Sequence, residues 1–330
     1  MCTSVTVKTK DQHHFLARNM DFYDLPIEYN VCIVPRNYRW LNEQEKQIVQ
    51  NKYAIIGMSI FRNNRIGFFD GMNEHGLMGV VHYLEGFADF SPERDPEKYN
   101  ISVFDFIHWV LSQYKSTAEL VRNMDTINIM AQELDILETV PPLHWIFSDR
   151  QSETIVIEST KEGVKIYDNK VGAFSNSPDF KWHLINLNLY TGLSPQDRGE
   201  VYWGDYQINR SPELVSGSFG IPGDYSSPSR FVRAAYLRNH IESASNESEG
   251  LRNSMKVLEY CSVARGADIE DGAPSYTLYT SSMCSETGTY YYHSYENEQI
   301  NAINLFKVDL NTTHIKKYRF LKDQSIRFQN

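Results

Sequence analysis

The chain has 330 residues, 41% of them hydrophobic and 22% charged, which is the composition of a folded protein long enough to bury a substantial core. Its 32 Lys and Arg residues against 42 Asp and Glu residues give a formal charge of −10, and this balance argues against a nucleic-acid partner. No run of roughly 18 apolar residues predicts a membrane span, and the VTV stretch ahead of Lys8 is too short for a signal peptide. We therefore expect a cytoplasmic protein without membrane association.

Cysteine and histidine spacing predicts neither a disulfide framework nor a metal centre. The four cysteines show no CxxC spacing, and the ten histidines form no HxH or HExxH motif. Cys32, Cys261 and Cys284 lie in or beside apolar runs, where cysteine usually serves as a small buried side chain. We expect no cofactor, and Cys2 is the one cysteine that needs another explanation.

The first part of the chain is predicted to form a series of short strands, because apolar residues alternate or are consecutive over four to eight positions. These segments are SVTVKT, HFLARN, YNVCIVP, YAIIGMSI, RIGFFD and LMGVVHY. Helical spacing first appears in VFDFIHWVLSQY, where Phe104, Ile107, Val110 and Leu111 fall on one face. Ser116 and Glu119 then form the pattern of a capping box.

Further strands are predicted at LHWIFSD, ETIVIES, GVKIYDN, VGAFSNS, YTLYTSSM, TYYYHSY and INLFKV. Between them lie a helix that starts with Ser227 as its cap and Pro228 as its first residue, and a helix over LRNSMKVLEYCSVA. Runs of strands and pairs of helices indicate an α+β fold in a single domain over residues 1–330. We expect two stacked, mainly antiparallel sheets with helices outside them.

Residues 190–226 form the least regular region and are rich in Gly, Ser, Pro and aromatic residues. Long loops of this kind are often functional or make an interface, and Tyr and Trp are enriched at interfaces. We expect this loop to contact a partner subunit.

The opening MCTSVTV places a cysteine directly after the initiator methionine. If Met1 is removed, Cys2 carries both a thiol and an α-amine, with ordinary pKa values of about 8.5 and about 7.7–8.0, so that one can accept a proton from the other. Such a residue supplies both nucleophile and base for attack on a carbonyl carbon, through an acyl-enzyme intermediate. On this hypothesis the enzyme is inert until Met1 is gone.

Four other residues can complete such a site. Asp21 can hold the α-amine and Arg18 can favour the thiolate, both from the strand that follows the first turn. Asn176 in SNSPDF can project its amide from a turn toward an oxyanion, since such donors contribute much of the rate. Arg230 in PSRF lies in a first helical turn, far from the end of the helix dipole that favours cations, which hints at a specific partner.

These segments resemble the choloylglycine hydrolase family, which includes penicillin V acylases and conjugated bile salt hydrolases. The matching motifs run in order from residue 1 to about residue 308: MCTS, LARNMDF, GMNEHGL, PLHWIFSDR, KIYDN, SNSPDF, GIPGDYSSPSRFVRAAY, YTLYTSSMC and TGTYYYHSYENEQI. The resemblance implies the four-layered αββα fold of the N-terminal nucleophile hydrolases, cleavage of linear amide C–N bonds without a metal, and a homotetramer. It also implies that Cys2 is the nucleophile, with Arg18, Asp21, Asn176 and Arg230 beside it.

Tyr83 bears on the substrate. Bile salt hydrolases usually have an asparagine at this position and penicillin V acylases often have a tyrosine, while the backbone N–H can serve an oxyanion hole with either side chain. We therefore predict a penicillin V acylase-like enzyme for aromatic acyl groups such as phenoxyacetyl. The alternatives are a conjugated bile salt hydrolase releasing glycine or taurine, an N-acyl homoserine lactone acylase, and, from another class, an inactive relative that binds an acyl ligand.

By resemblance, several apolar residues are expected to shape the acyl pocket, with ordinary core packing as the competing interpretation. A thiol redox protein is a further alternative, but the sequence offers no evident resolving cysteine near Cys2. The expected pocket residues are Met20, Phe22, Met58, Ile60, Phe61, Leu134 and Leu137.

Overall fold

Two antiparallel sheets stacked face to face dominate the computed structural model, which describes residues 1–62, 65–135, 137–196, 200–208, 217–270 and 272–330. Both sheets bury an apolar inner face against the other, and helices cover their outer faces. In the described segments, no helix is long and apolar enough to cross a membrane.

The strands have the following bounds: β1 Cys2–Lys8, β2 His14–Phe22, β3 Asn30–Val34, β4 Arg39–Asn42, β5 Gln47–Gln50, β6 Ile55–Arg62, β7 Arg65–Asn73, β8 Met78–Tyr83, β9 Tyr99–Ser102, β10 Ile127–Met130, β11 Leu143–Ser148, β12 Thr154–Thr160, β13 Gly163–Asp168, β14 Ala173–Phe174, β15 Val201–Trp203, β16 Tyr206–Ile208, β17 Ile269–Glu270, β18 Ala273–Pro274, β19 Tyr276–Cys284, β20 Thr289–Ser294, β21 Asn301–Asn304 and β22 Lys316–Arg319. The α-helices are α1 Phe106–Gln113, α2 Thr117–Asn123, α3 Phe180–Asn186, α4 Ser227–His240 and α5 Glu247–Glu259. Short 3₁₀ helices cover Met124–Thr126, Leu187–Tyr190 and Leu305–Lys307.

Among the described residues, one sheet has six strands in the order β14-β1-β2-β19-β20-β21 and the other has eight in the order β13-β12-β11-β8-β7-β6-β3-β22. The strands β2 and β19 lie centrally in the first sheet, and every residue of both is buried. Burial on both faces has a simple cause: one face meets the second sheet, and α4 and α5 cover much of the other. Both strands nevertheless carry polar residues among the apolar ones, including Arg18 and Asp21 in β2, so these polar side chains are buried inside the fold.

The helices form the outer layers. Helix α4 packs on β1 and β14, α5 packs on β1, β2 and β19, and α1 packs on β7 and β8 of the second sheet. Gly250 lets α5 approach closely, because a Cβ there would lie 2.5 Å from the ring of Phe15. The resulting order of layers is helix, sheet, sheet, helix, which confirms the expected αββα architecture.

Three sequence predictions need correction in detail. Helix α1 begins at Phe106, so Phe104 precedes it and points into a pocket described below. Helix α4 is capped by Ser226, whose side chain accepts the Ser229 N–H, so Ser227 is the first helical residue. The segment INLFKV ends as a strand at Asn304, because the Asn304 side chain accepts the Phe306 N–H and starts a 3₁₀ turn.

The region predicted to be an irregular loop, residues 190–226, contains a hairpin. Strands β15 and β16 pair with Tyr202 opposite Gln207, and Tyr202, Trp203 and Tyr206 are exposed. Residues 197–199 and 209–216 of this region lie outside the described residues.

Candidate active site

The Cys2 thiol lies buried at the start of β1, beside β2. Antiparallel pairing sets Cys2 opposite Met20, and 6% of Cys2 is exposed. Its Sγ atom lies 3.9 Å from the Met20 sulfur and lines an apolar pocket between the sheets. The strand therefore holds the first residues of the chain at one fixed position in the sheet.

Arg18 lies two residues before Met20 on the same face of β2, because side chains alternate along a strand. Its Nη2 atom lies 2.6 Å from Cys2 Sγ and 2.9 Å from Met20 Sδ. Burial by itself would lower the pKa of the Arg18 guanidinium, but its electrostatic interactions with neighbours, chiefly Cys2 and Tyr279 and then Asp70, outweigh burial and raise it. Arg18 therefore keeps a full positive charge next to the thiol.

Asp70 anchors the other side of Arg18, and sequence analysis did not identify it. The pairing of β6 with β7 shifts register beside Phe69, whose carbonyl accepts from Arg18 Nη1 at 3.2 Å. Asp70 lies 3.7 Å from that nitrogen and accepts hydrogen bonds from Tyr279 at 2.7 Å and Tyr290 at 2.5 Å. Burial raises the pKa of Asp70, and Arg18 and the two hydroxyls oppose that rise. The sequence does contain one signal for it, because a carboxylate within the apolar segment RIGFFDGM is unusual and indicates a buried charged partner.

Asp21 faces the amine side of the site. Its backbone carbonyl accepts from the Met1 amine at 2.6 Å, and its N–H donates to the Met1 carbonyl at 2.9 Å. Thr277 donates to its Oδ1 atom at 2.6 Å, while the buried Oδ2 atom has no hydrogen-bond partner among the described residues and lies 3.7 Å from Arg230. Burial raises the pKa of Asp21, chiefly opposed by the Arg230 charge.

Arg230, in the first turn of α4, joins the first strand to Asn176. Its Nη1 atom lies 2.5 Å from the Cys2 carbonyl oxygen and 2.5 Å from Thr3 Oγ1. Its Nη2 atom donates to Asn176 Oδ1 at 3.0 Å, and its Nε donates to the Tyr225 carbonyl at 2.9 Å. The guanidinium is fully buried, so this network of acceptors explains why a cation is tolerated at the start of a helix.

Asn176 and Tyr83 meet next to the Cys2 nitrogen. The Cys2 N–H donates to Asn176 Oδ1, and Asn176 Nδ2 donates to the Tyr83 carbonyl at 2.9 Å. Two donors, from Cys2 and Arg230, thus fix which end of the amide is oxygen. The carbonyl of Asn176 is held in turn by His183, whose Nε2 atom lies 2.8 Å away.

His82 is a second residue that sequence analysis did not single out. Its Nε2 atom lies 2.8 Å from Ser4 Oγ and its Nδ1 atom 3.2 Å from the Ser175 carbonyl. Burial, reinforced by the Arg18 charge, places the pKa of His82 well below its usual range, so the ring is neutral. Because Ser4 lies two residues after Cys2, this histidine supports the strand that carries the thiol.

The pocket beside Cys2 is almost entirely apolar. Its space, including the open mouth and the solvent there, is about 780 Å³. Of the expected pocket residues, the structure brings together Met20, Phe22, Ile60, Leu134 and Leu137, and it adds Leu25, Ile27, Tyr29, Phe69, Val81, His82, Phe104, Pro141 and Leu143.

Met58 and Phe61 do not line this pocket. Met58 lies on the same face of β6 as Ile60 but is fully buried in the core between the sheets. Phe61 faces the opposite side of β6, where Lys317 Nζ lies 3.5 Å from its ring centroid. Period-two alternation accounts for Phe61, because neighbours along a strand point to opposite faces.

The assembled groups suit acyl transfer. A buried thiol lies beside a guanidinium and opens onto an apolar cavity, with an amide side chain at its nitrogen. This arrangement can direct a sulfur nucleophile at the carbonyl carbon of a bound acyl compound.

The chain is similar in sequence to known proteins over nearly its whole length. The bile salt hydrolase/transferase of Clostridium perfringens is 36% identical over 334 residues, which cover 100% of both chains. The bile salt hydrolase/transferase of Lactiplantibacillus plantarum is 36% identical over 321 residues, which cover 96% of each.

Solved structures show the same fold over the same span. The mutant C2A conjugated bile acid hydrolase from Clostridium perfringens has a TM-score of 0.91 at 35% identity and covers 100% of both chains. Penicillin V acylase from Agrobacterium tumefaciens has a TM-score of 0.75 at 21% identity, covering 96% of this chain and 90% of that chain, which supports the fold alone.

The family match completes the assignment. Residues 2–318 match the description "linear amide C–N hydrolases, choloylglycine hydrolase family". The match spans nearly all the motifs that carry the resemblance, and the N-terminal nucleophile hydrolase fold expected from them is confirmed. This chain therefore belongs to the choloylglycine hydrolase family of linear amide C–N hydrolases.

Proposed function

We propose that this enzyme is a conjugated bile salt hydrolase, which cleaves the amide between a steroid carboxylic acid and glycine or taurine. The preference for an apolar acyl group comes from the pocket, whose wall beside Cys2 is built from aliphatic and aromatic side chains. The choice of a steroid over a phenoxyacetyl group rests on the relatives: those with 36% identity over the whole chain are named bile salt hydrolases. That observation favours the alternative over the penicillin V acylase reading that Tyr83 suggested.

The chemistry would start from Cys2 after removal of Met1. The Cys2 nitrogen, already bound to Asn176 Oδ1, then becomes an α-amine beside Asp21, and it takes the thiol proton. The sulfur forms a bond to the amide carbonyl carbon while the electron pair moves to oxygen. Arg18 Nη2, 2.6 Å from the sulfur, stabilises the thiolate before attack.

Collapse of this intermediate breaks the C–N bond, and the α-ammonium returns the proton to the departing amine. The acyl group remains on Cys2 as a thioester. Water then attacks the thioester carbon and gives a proton to the α-amine. The C–S bond breaks, the free acid leaves, and the proton returns to the Cys2 sulfur. Asn176 Nδ2 and the Tyr83 N–H are the proposed donors to the oxyanion in both steps, since preorganised donors are worth about 10² to 10³ each in rate.

Penicillin V acylase activity is the second candidate, because of Tyr83. Its ring lines the pocket and meets Phe22 edge to face, with centroids 5.6 Å apart. An aromatic wall of this kind suits a planar phenoxy group as well as a steroid ring.

A substrate comparison on the mature protein tests the proposal. We expect kcat/KM for glycocholate and taurocholate to exceed that for penicillin V by at least about tenfold, which corresponds to about 1.4 kcal/mol of transition-state binding. A ratio in the opposite direction would favour the acylase, and a mature enzyme with a reactive Cys2 that cleaves none of the three would support the inactive relative. A Cys2→Ala variant is the blank for all three assays.

A further inference from the structure

We propose that His13, Glu247 and Cys284 form a binding site for one zinc ion at the end of the six-stranded sheet opposite Cys2. These residues come from three segments far apart in sequence: the β1–β2 turn, the first turn of α5 and the end of β19. One ligand atom from each, a ring nitrogen, a carboxylate oxygen and Sγ, lies within 4.8 Å of the other two. Local spacing could not reveal this cluster, and the sequence motifs accordingly predicted no metal centre.

The donor set fits zinc. Zinc binds thiolate, imidazole and carboxylate at about 2.0–2.3 Å, and three protein ligands leave one tetrahedral position for water. Tetrahedral coordination spaces ligand atoms by roughly 3–4 Å, so the cluster must contract by up to about an ångström. The His13 side chain, 22% exposed, has room to rotate toward the buried sulfur.

Second partners orient two of the ligands, as is usual around metal-binding side chains. Asp11 Oδ1 lies 2.9 Å from His13 Nδ1, which leaves the Nε2 atom of the ring for a metal. Thr287 Oγ1 and the Tyr291 hydroxyl donate to Glu247 Oε1 at 2.6 Å and 2.9 Å. Both hydroxyls use the same carboxylate oxygen, so the second oxygen is available to a cation.

Cys284 provides the buried ligand. It is fully buried and packs with Val7 and Phe15. A zinc ion would displace the thiol proton and offset the negative charge of Glu247 in the same step. A bound cation would therefore neutralise the charges of both ligands.

The site is separate from the catalytic groups. Cys284 pairs with Phe15 and Cys2 pairs with Met20, so about five residues of β2, or about 17 Å, lie between the two thiols. A metal here would tie a turn, a strand end and the start of α5 together. Its role would be stabilising, and hydrolysis at moderate temperature should not require it.

Metal binding can be measured directly on the full-length protein. After treatment with a chelator, dialysis against Zn²⁺ should give about one zinc per chain by mass spectrometry of the metal, and it should raise the Tm. Co²⁺ should produce a thiolate charge-transfer absorption that Cys284→Ser removes and Cys2→Ala retains. His13→Gln, at a partly exposed position that should not impair folding, should weaken Zn²⁺ affinity at least about tenfold.

The matched control is His314→Gln, which removes an exposed histidine elsewhere. No zinc above background would overturn the proposal. So would zinc that His13→Gln and Cys284→Ser leave in place, or a cobalt band that disappears with Cys2→Ala. None of these readouts depends on the substrate, so the zinc site and the bile salt activity can fail independently.

Discussion

The Nη2 atom of Arg18 lies 2.6 Å from Cys2 Sγ, while Nη1 of the same guanidinium lies 3.7 Å from Asp70. One buried cation is thus shared between the thiol and a carboxylate from the opposite sheet. Because Tyr279 and Tyr290 also hold Asp70, the position of the charge beside the sulfur depends on residues that never touch the pocket.

Asp70→Asn should lower kcat for amide hydrolysis by at least about tenfold, with a smaller change in KM. The substitution removes the charge that anchors Arg18, and breaking a buried ion pair also costs roughly 3–5 kcal/mol of stability. Asp105→Asn is the matched control, since Asp105 is a buried aspartate paired with Arg65 outside the site. If both variants, measured as folded protein, lost kcat equally, Asp70 would have no specific role in positioning Arg18, and its effect would be on stability only.

Met1 should be absent from the active enzyme. In the unprocessed chain the Met1 amine donates a hydrogen bond to the Asp21 carbonyl, and Met1 lines the pocket. We therefore expect Met1 to prevent the Cys2 nitrogen from acting as an α-amine and to hinder substrate entry. Intact-mass measurement should show the loss of one methionine residue in every active preparation. Full activity in a preparation that retains Met1 would contradict the mechanism.

Tyr83 should tune the substrate preference. Tyr83→Asn should raise the ratio of kcat/KM for glycocholate over penicillin V several-fold, because it removes aromatic surface that faces Phe22. Tyr83→Phe keeps the ring and should leave the ratio within about twofold of the parent. An unchanged ratio in both variants would show that the phenol does not select the acyl group.

Acid should destabilise the fold through His183. Burial lowers the pKa of His183 from 6.5 to about 4, so the unfolded chain binds its proton first. The stability it contributes is present above pH 6.5 and is lost as pH falls toward 4. Urea unfolding at several pH values should show this loss, and His183→Gln should reduce the slope in that window. An identical slope in the variant would exclude His183 as the source.

The β15–β16 hairpin should contribute to a homotetramer. Trp203 and Tyr206 are 75% and 70% exposed, and aromatic residues at such positions are typical of interfaces. Trp203→Ser combined with Tyr206→Ser should shift sedimentation toward smaller species. Phe328→Ser, which removes an equally exposed ring from the C-terminal segment, is the control; a parent protein that sediments as a monomer would refute the expectation.

The architecture could be predicted from local patterns to a large extent. Strand β1 alternates and β3 is an almost continuous apolar run, and such periods are local properties of the chain. The ends of elements were less predictable. The sequence predicts Ser227 as the cap of α4, but the cap is Ser226, because its side chain accepts the Ser229 N–H.

In the candidate site, too, some residues could be predicted from local sequence motifs and others could not. Motifs in order identified Cys2, Arg18, Asp21, Asn176 and Arg230, and the structure brings all five together. Asp70 and His82 could not be predicted from motifs, because their contacts with the site are made with residues on other segments of the chain. Phe61 was misplaced among the pocket residues, because its face depends on the β6 register.

Sequence by itself therefore determined the family and the fold class and pointed to Cys2 as the proposed nucleophile, since those depend on residue types in a fixed order along the chain. Tertiary structure alone decided which side chains share a cavity, what holds Arg18, and that His13, Glu247 and Cys284 meet. The physical reason is that strand pairing and sheet packing bring together residues hundreds of positions apart, and no local period encodes those contacts.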